Sequence, residues 1–409
     1  MKRIKAYLLV LAAALLSACN GFDIPHEGPY EQVLIYYALG YNNLSHQLER
    51  NYEQIGEGIV PSLSSEKAIV AYCHLSNGAD YITPTDPVLV RIYRDTRGQT
   101  VMDTLKVYKD VARPASKEAV RSALQDIQEI FPSKHYGMLV SSHGTGWLPA
   151  GFDSYDERPY LRSRTVEAAP QWPLTKALCN QYSRSGSRIR VDWMEFSDFA
   201  EAIPMKLDYL ILDACLMGTA EVAWAFKDVC DYLVVSPTEV MDTGMIYNTL
   251  SWDMLSGSQA DLRSYCQEYI DYYEAQSGSY RSATIALVDC AALSELADAF
   301  AGILAAHRSA LQPGLIRTVQ RYYYSSSPYR CFYDLRDLCV QLGASQSELA
   351  ALDEALSRCV LYHAETPTFF DLKLERCCGL SVYIPEPTRP RLNAFYERFG
   401  WNDRVHLLP

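Results

Sequence analysis

After Leu16 the chain has no apolar run of the roughly 18 residues that a membrane helix needs. It has no CxxC pair and no cysteine–histidine spacing of a zinc site. A calcium loop of the EF-hand type is missing too. There is no basic cluster, and the formal net charge is -12, a balance that argues against nucleic acid as a partner. Internal repeats and low-complexity tracts are also lacking, which excludes solenoids and long disordered arrays. Histidine is scarce, at eight in 409 residues, so a histidine inside a motif is a narrow choice. What is present is ordinary for a globular protein: 49% hydrophobic residues, 30 Tyr and 12 Cys. The length suits one large or two modest domains.

The N-terminus reads as an export signal. Lys2, Arg3 and Lys5 precede the apolar block Ala6 to Leu16, and Leu16-Ser17-Ala18-Cys19 follows. The small residues before Cys19 resemble a bacterial lipobox, in which the cysteine is diacylated and becomes the new N-terminus. On this reading residues 1–18 are a lipoprotein signal peptide, Cys19 is the lipidation site and residues 19–32 are a polar tether. The protein is then expected outside the cytoplasm, lipid-anchored to a bacterial membrane on its periplasmic or cell-surface face. The bland alternative is a cleaved signal with an incidental cysteine. Loss of the three cations would take the charge to about -15.

From residue 33 to 255, strand-like runs alternate with helical stretches, which predicts a mostly parallel sheet covered by helices on both faces. Strand candidates are Val33 to Ala38, Ala68 to His74, Val88 to Tyr93, Tyr136 to Val140, Tyr209 to Leu212 and Tyr232 to Val235. Ser116 to Ile130 has helical spacing, with Ser116 as N-cap. Asp192 to Ala202 reads as helix, and Leu216 to Phe226 as a helix starting right after Cys215. Residues 151–190 differ: polar, carrying Pro159, Pro170 and Pro173 and seven basic residues, they look like a long exposed insertion. Residues 256–409 are more helical, with Ser256 to Ala275, Ala291 to Leu311 and Ser345 to His363 the clearest stretches.

Two strand ends carry chemistry. One runs into Ser141-Ser142-His143-Gly144, the other into Asp213-Ala214-Cys215. Chemistry in open α/β sheets collects at the carboxyl ends of strands. An imidazole beside a thiol suggests a cysteine nucleophile and acyl transfer, with peptide-bond hydrolysis the first reading. Cys215 would attack as thiolate, helped by the N-terminus of the helix starting at Leu216. His143 would protonate the leaving amine. The N–H groups of Gly144 and Cys215 would hold the oxyanion, Gly144 having no side chain in the way. Asp213, two residues before Cys215, would leave the strand on the same face and line a specificity pocket; capping the following helix is its alternative role. Glu239 and Asp242 are weaker candidates for that pocket. His135 is the runner-up histidine but opens its strand rather than ending it. No third catalytic group is evident. The remaining cysteines read as buried thiols.

Asn42-Asn43-Leu44, Ser141 to Trp147, Asp213 to Gly218, Asp231 to Ser236 with Glu239 and Gly244, and Gly379 to Pro385 together resemble the clostripain family of cysteine peptidases, in the clan of caspases, gingipains and legumain. The resemblance runs from about residue 33 to about 401. It implies a caspase-like fold with residues 33–255 as catalytic core and 256–409 packed on it. It also implies a Cys-His dyad, cleavage after Arg or Lys, and activation by cutting the 151–190 insertion. Arg158, Arg162 and Arg164 are the first choices for self-cleavage, the alternative being a solvated loop. Some relatives use calcium; for this chain calcium stays open and no metal ligands are assigned. The expected partners are Arg- or Lys-containing peptides and, through lipid, a membrane. The competing function is a non-catalytic surface lipoprotein binding a ligand on the same fold. A third is another acyl transfer, such as transpeptidation.

Overall fold

The structure, a computed structural model, describes residues 24–76, 85–109, 111, 113–150, 152, 180–185 and 188–409. Its strands are β1 (Gln32–Gly40), β2 (Lys67–Leu75), β3 (Val88–Arg94), β4 (Thr100–Val107), β5 (Tyr136–Ser141), β6 (Asn180–Ser185), β7 (Arg188–Trp193), β8 (Leu207–Asp213), β9 (Cys230–Val235), β10 (Thr284–Asp289), β11 (Tyr333–Asp334), β12 (Val360–Glu365), β13 (Thr368–Phe369), β14 (Leu372–Lys373) and β15 (Ser381–Val382). Nine of them form one sheet in the order β12-β10-β9-β8-β5-β1-β2-β3-β4. The five central strands, β9 to β2, are parallel, and β10, β12, β3 and β4 extend them antiparallel. Thus the sheet takes strands from both sides of residue 255. Three two-stranded pieces complete the set: β6–β7, β11–β15 and β13–β14.

The central strands are mainly apolar because helices cover both faces, with charged residues such as Lys67, Asp208 and Asp231 near the strand starts. All nine residues of β1 are buried. Burying a side chain such as Leu34 or Ile35 contributes about 1.5–3 kcal/mol. The helix Lys117–Ile130 starts where the sequence predicts: Ser116 Oγ accepts the Ala119 N–H at 3.3 Å. It buries Val120, Ala123, Leu124 and Ile127, one stripe at helical spacing.

Some boundaries differ from the sequence reading. The helix expected over Asp192 to Ala202 is Phe196–Ala202, since β7 runs through Trp193. The stretch from Ser256 yields a helix at Leu262–Glu274, capped by Asp261, whose side chain accepts the Ser264 N–H at 3.0 Å. The Ser345 helix has a full capping box but ends at Cys359, where β12 begins. Val360 and Tyr362 are strand formers, and pairing with β10 outweighs continued helix. The segment Cys290–Ala310 is long and apolar enough to cross a membrane by composition. In the fold its helix Leu293–His307 packs one stripe on the core, burying Leu293, Leu296, Ala297, Phe300, Ile303 and Leu304.

Candidate active site

Parallel pairing of β5 with β8 sets Ser141 opposite Asp213, so both strands end at the same edge. The segments leaving them pack backbone against backbone. A Cβ on Gly144 would lie 2.3 Å from the Cys215 carbonyl oxygen and 2.5 Å from its nitrogen. Gly146 has φ +59°, and a Cβ there would lie 2.5 Å from the Leu216 carbonyl oxygen. Both glycines are therefore demanded by close approach, the second also by a left-handed backbone. The Ser142 N–H donates to the Asp213 carbonyl at 3.4 Å, and Ser142 Oγ donates to the Leu39 carbonyl at 3.0 Å. The His143 loop is thus slung between the ends of β1 and β8.

His143 is buried, and its Nε2 donates to Asn43 Oδ1 at 2.6 Å. Asn43 follows β1 in a turn that Asn42 shapes, with Asn42 Oδ1 accepting the Leu44 N–H at 2.8 Å. In the sequence Asn43 belongs to the Asn42-Asn43-Leu44 motif without a signal of its role. An exposed asparagine in a turn has many ordinary explanations, and only the fold brings it to the imidazole.

Cys215 is 1% exposed. Its sulfur accepts the Val240 N–H at 3.1 Å and donates to the Val240 carbonyl at 3.5 Å. Leu216 follows with φ +62°, a costly conformation for a branched residue, held by its N–H on the Thr238 carbonyl at 2.8 Å. The helix expected to begin at Leu216 begins at Ala220, with Thr219 as N-cap. The left-handed turn at Leu216 stops helix formation there, so no helix N-terminus abuts Cys215. For the same reason Asp213 is not a helix cap.

Asp213 is the last residue of β8, so strand alternation stops short of Cys215. Its carboxylate is fully buried. Oδ2 accepts Ser141 Oγ at 2.8 Å and also the Tyr247 hydroxyl. Burial, and then the Asp213 charge, push the Tyr247 phenol well up, so it stays a donor. Glu239 is also buried, accepting Ser327 Oγ at 3.0 Å and the Tyr324 hydroxyl at 3.5 Å. Asp242 is half-buried in the same segment. His135 lies exposed at the far end of β5, 3.0 Å from Asp208 Oδ2. Cys19, Arg158, Arg162 and Arg164 lie outside the described residues. Among the described residues no group of three or more His, Cys, Asp or Glu is placed to hold a metal.

The C-terminal motif buttresses the Cys215 segment. The Ser381 N–H donates to the Gly218 carbonyl at 2.9 Å. Glu221 Oε1 accepts the Tyr383 N–H at 3.0 Å and the Tyr396 hydroxyl at 2.6 Å. Trp147, from the His143 segment, is buried against Phe332, Tyr383, Tyr396 and Phe399. Both chemistry-bearing segments are therefore clamped from the same side. A cavity of about 440 Å³ lies elsewhere, between Glu195, Trp224, Arg398 and Trp401.

A family model for the clostripain family matches residues 37–399. Among solved structures, an inactive zymogen C11 protease from Parabacteroides distasonis is 26% identical, with TM-score 0.73, over 93% of this chain and 99% of that one. A secreted C11 cysteine protease from Bacteroides thetaiotaomicron is 25% identical, with TM-score 0.73, over 93% of this chain and all of that one. Another secreted C11 cysteine protease from the same organism, in complex with an irreversible peptide inhibitor, is 19% identical and shares the fold, with TM-score 0.72, over 92% of this chain and 99% of that one. Among curated protein sequences, none matched this chain.

Proposed function

Because this chain belongs to the clostripain family, it is a cysteine-type peptidase, and we propose that it cleaves peptide bonds after Arg or Lys with Cys215 as nucleophile and His143 as acid. The observation that carries this is the backbone contact between the His143 and Cys215 segments, which leaves no room for a Cβ on Gly144. Cys215 passes its thiol proton to His143 Nδ1, and the thiolate sulfur attacks the scissile carbonyl. The negative oxygen then lies between the N–H groups of Gly144 and Cys215, a preorganised pair of donors. His143 gives its proton to the departing amine, and the thioester forms. Water drawn by the neutral imidazole hydrolyses the thioester and frees the thiol. The Asn43 contact holds the imidazole by Nε2, which leaves Nδ1 for the reaction.

Asp213 is the proposed partner of the substrate cation. A buried carboxylate favours a charge-assisted contact strongly once water is excluded. In the intact chain Ser141 and Tyr247 both donate to Oδ2 of that carboxylate, and Cys215 is bracketed by Val240. Both facts support a closed precursor opened by cutting within 151–190, with Arg158, Arg162 and Arg164 as first sites. The similar zymogen structure supports the same reading. The signal-like N-terminus and the similar secreted protease support export, and Cys19 supports a lipid anchor.

The test is turnover of fluorogenic peptides ending in Arg, Lys or Glu, with and without calcium, alongside Cys215→Ala, with intact mass followed over time. Arg or Lys turnover and a mass step within 151–190, both lost in the variant, are expected. Absence of turnover after deliberate trypsin nicking of the insertion would overturn the proposal.

A further inference from the structure

Two buried thiols outside the proposed chemistry meet at the far end of β9. Cys230 opens β9, and Cys290 directly follows β10. The two strands are antiparallel neighbours, with Tyr232 opposite Asp289, so both cysteines lie at one edge of the ladder. Their sulfurs are 3.7 Å apart, although 60 residues separate them in the chain. Both side chains are buried, at 0% and 3% exposure. A disulfide needs a sulfur separation of about 2.05 Å, so closure asks for less than 2 Å of movement, within reach of a small side-chain rotation. Continued by one step, the register would set Cys290 beside Asp231, next to Cys230, and the helical turn that starts at Cys290 takes over there, with the two sulfurs in contact. Contact with Cys290, and then burial, push the Cys230 thiol well up. A sealed thiol of that kind is inert in the finished fold, so its chemistry belongs to the folding chain.

We propose that Cys230 and Cys290 form a structural disulfide when the chain folds in an oxidising compartment. The oxidant is itself a disulfide, of the glutathione class or on an oxidoreductase. One cysteine thiolate attacks it, forming a mixed disulfide and releasing one thiol. The second cysteine thiolate attacks the protein sulfur of that mixed disulfide, closing the Cys230–Cys290 bond and releasing the second thiol. Two S–H bonds and two electrons leave the protein, and the oxidant is reduced to two thiols. Six residues of β9, about 20 Å of strand, separate this bond from the Ser236 end that leads to Val240 and Cys215. The bond braces the antiparallel flank of the sheet and spares the nucleophile. Export supplies the oxidant in the cell, and a refolding assay does not depend on it.

The full chain is refolded in a glutathione redox buffer, alkylated under denaturing conditions, digested and mapped by mass. A peptide pair joining Cys230 to Cys290, about 2 Da lighter than the sum of its reduced parts and lost on reduction, is expected. The melting temperature should fall by several degrees with reductant. The Cys230→Ala/Cys290→Ala variant should melt at one temperature with or without reductant. Full alkylation of both cysteines, or a bond from Cys290 to Cys359, overturns the proposal. The wild-type map decides alone if the variant does not fold.

Discussion

Gly144→Ala is the sharpest perturbation of the site. The added methyl would lie 2.3 Å from the Cys215 oxygen, 2.5 Å from its nitrogen and 2.9 Å from the Ala214 carbonyl carbon, whereas ordinary contact begins at 3.4 Å. All three are backbone atoms, so no side chain can swing aside. The His143 and Cys215 segments must part by about 1 Å. A displacement of about 1 Å at reacting groups costs about 100-fold in rate. Misplacing one oxyanion donor costs about 100- to 1000-fold. These losses overlap, so kcat should fall by about 100- to 10,000-fold with KM changed little. Overpacking should also cost about 1–3 kcal/mol of stability, visible as a lower melting temperature. The assay is steady-state turnover of an Arg-ending fluorogenic peptide by the processed enzyme. Titration with an irreversible peptide inhibitor counts competent sites, so misfolding is separated from slow chemistry. A variant with kcat within about threefold of wild type and an unchanged melting temperature would refute both the packing and the oxyanion argument.

Asn43→Asp puts a carboxylate where Oδ1 meets His143 Nε2, which favours the imidazolium and should move the alkaline limb of kcat/KM up by about one pH unit. Asn43→Ala should instead lower kcat without that shift, and an unmoved limb in Asn43→Asp would count against the contact. Asp213→Asn keeps an acceptor for Ser141 and Tyr247 but removes the charge. Its kcat/KM for Arg peptides should fall about 10- to 100-fold, and an unchanged ratio of Arg to uncharged peptides would sink the pocket assignment. Burial, and then the Glu268 carboxylate, push Asp253 up to about 6. The native state therefore holds its proton more tightly than the unfolded chain, and stability is lost as pH rises from about 4 through 6. Asp253→Asn should accordingly raise the melting temperature more at pH 7.5 than at pH 5; an equal or reversed gain would dispose of this account.

Elements built from local signals were legible in advance. Val33 to Leu39 in β1, Tyr136 to Val140 in β5 and Tyr209 to Leu212 in β8 are short continuous apolar runs, as burial on both faces requires. Ser116 and Ser345 announce their helices because a cap needs only a hydroxyl and the next few N–H groups. The helix after Cys215 was misread because a left-handed residue is legible only when it is glycine, and here it is Leu216. Val360 to His363 was misread as helix because the partner that makes it a strand, β10, lies about 75 residues away.

By itself the sequence determined that an imidazole and a thiol each come just after a strand, since His143-Gly144 and Asp213-Ala214-Cys215 each follow a short apolar run. Tertiary structure alone decided what those groups touch. Asn43 reaches His143 across 100 residues, Val240 brackets Cys215, and Tyr247 and Ser141 close over Asp213. Such contacts depend on strand order and register, which set the distance between segments remote in the chain, and no local propensity carries that information.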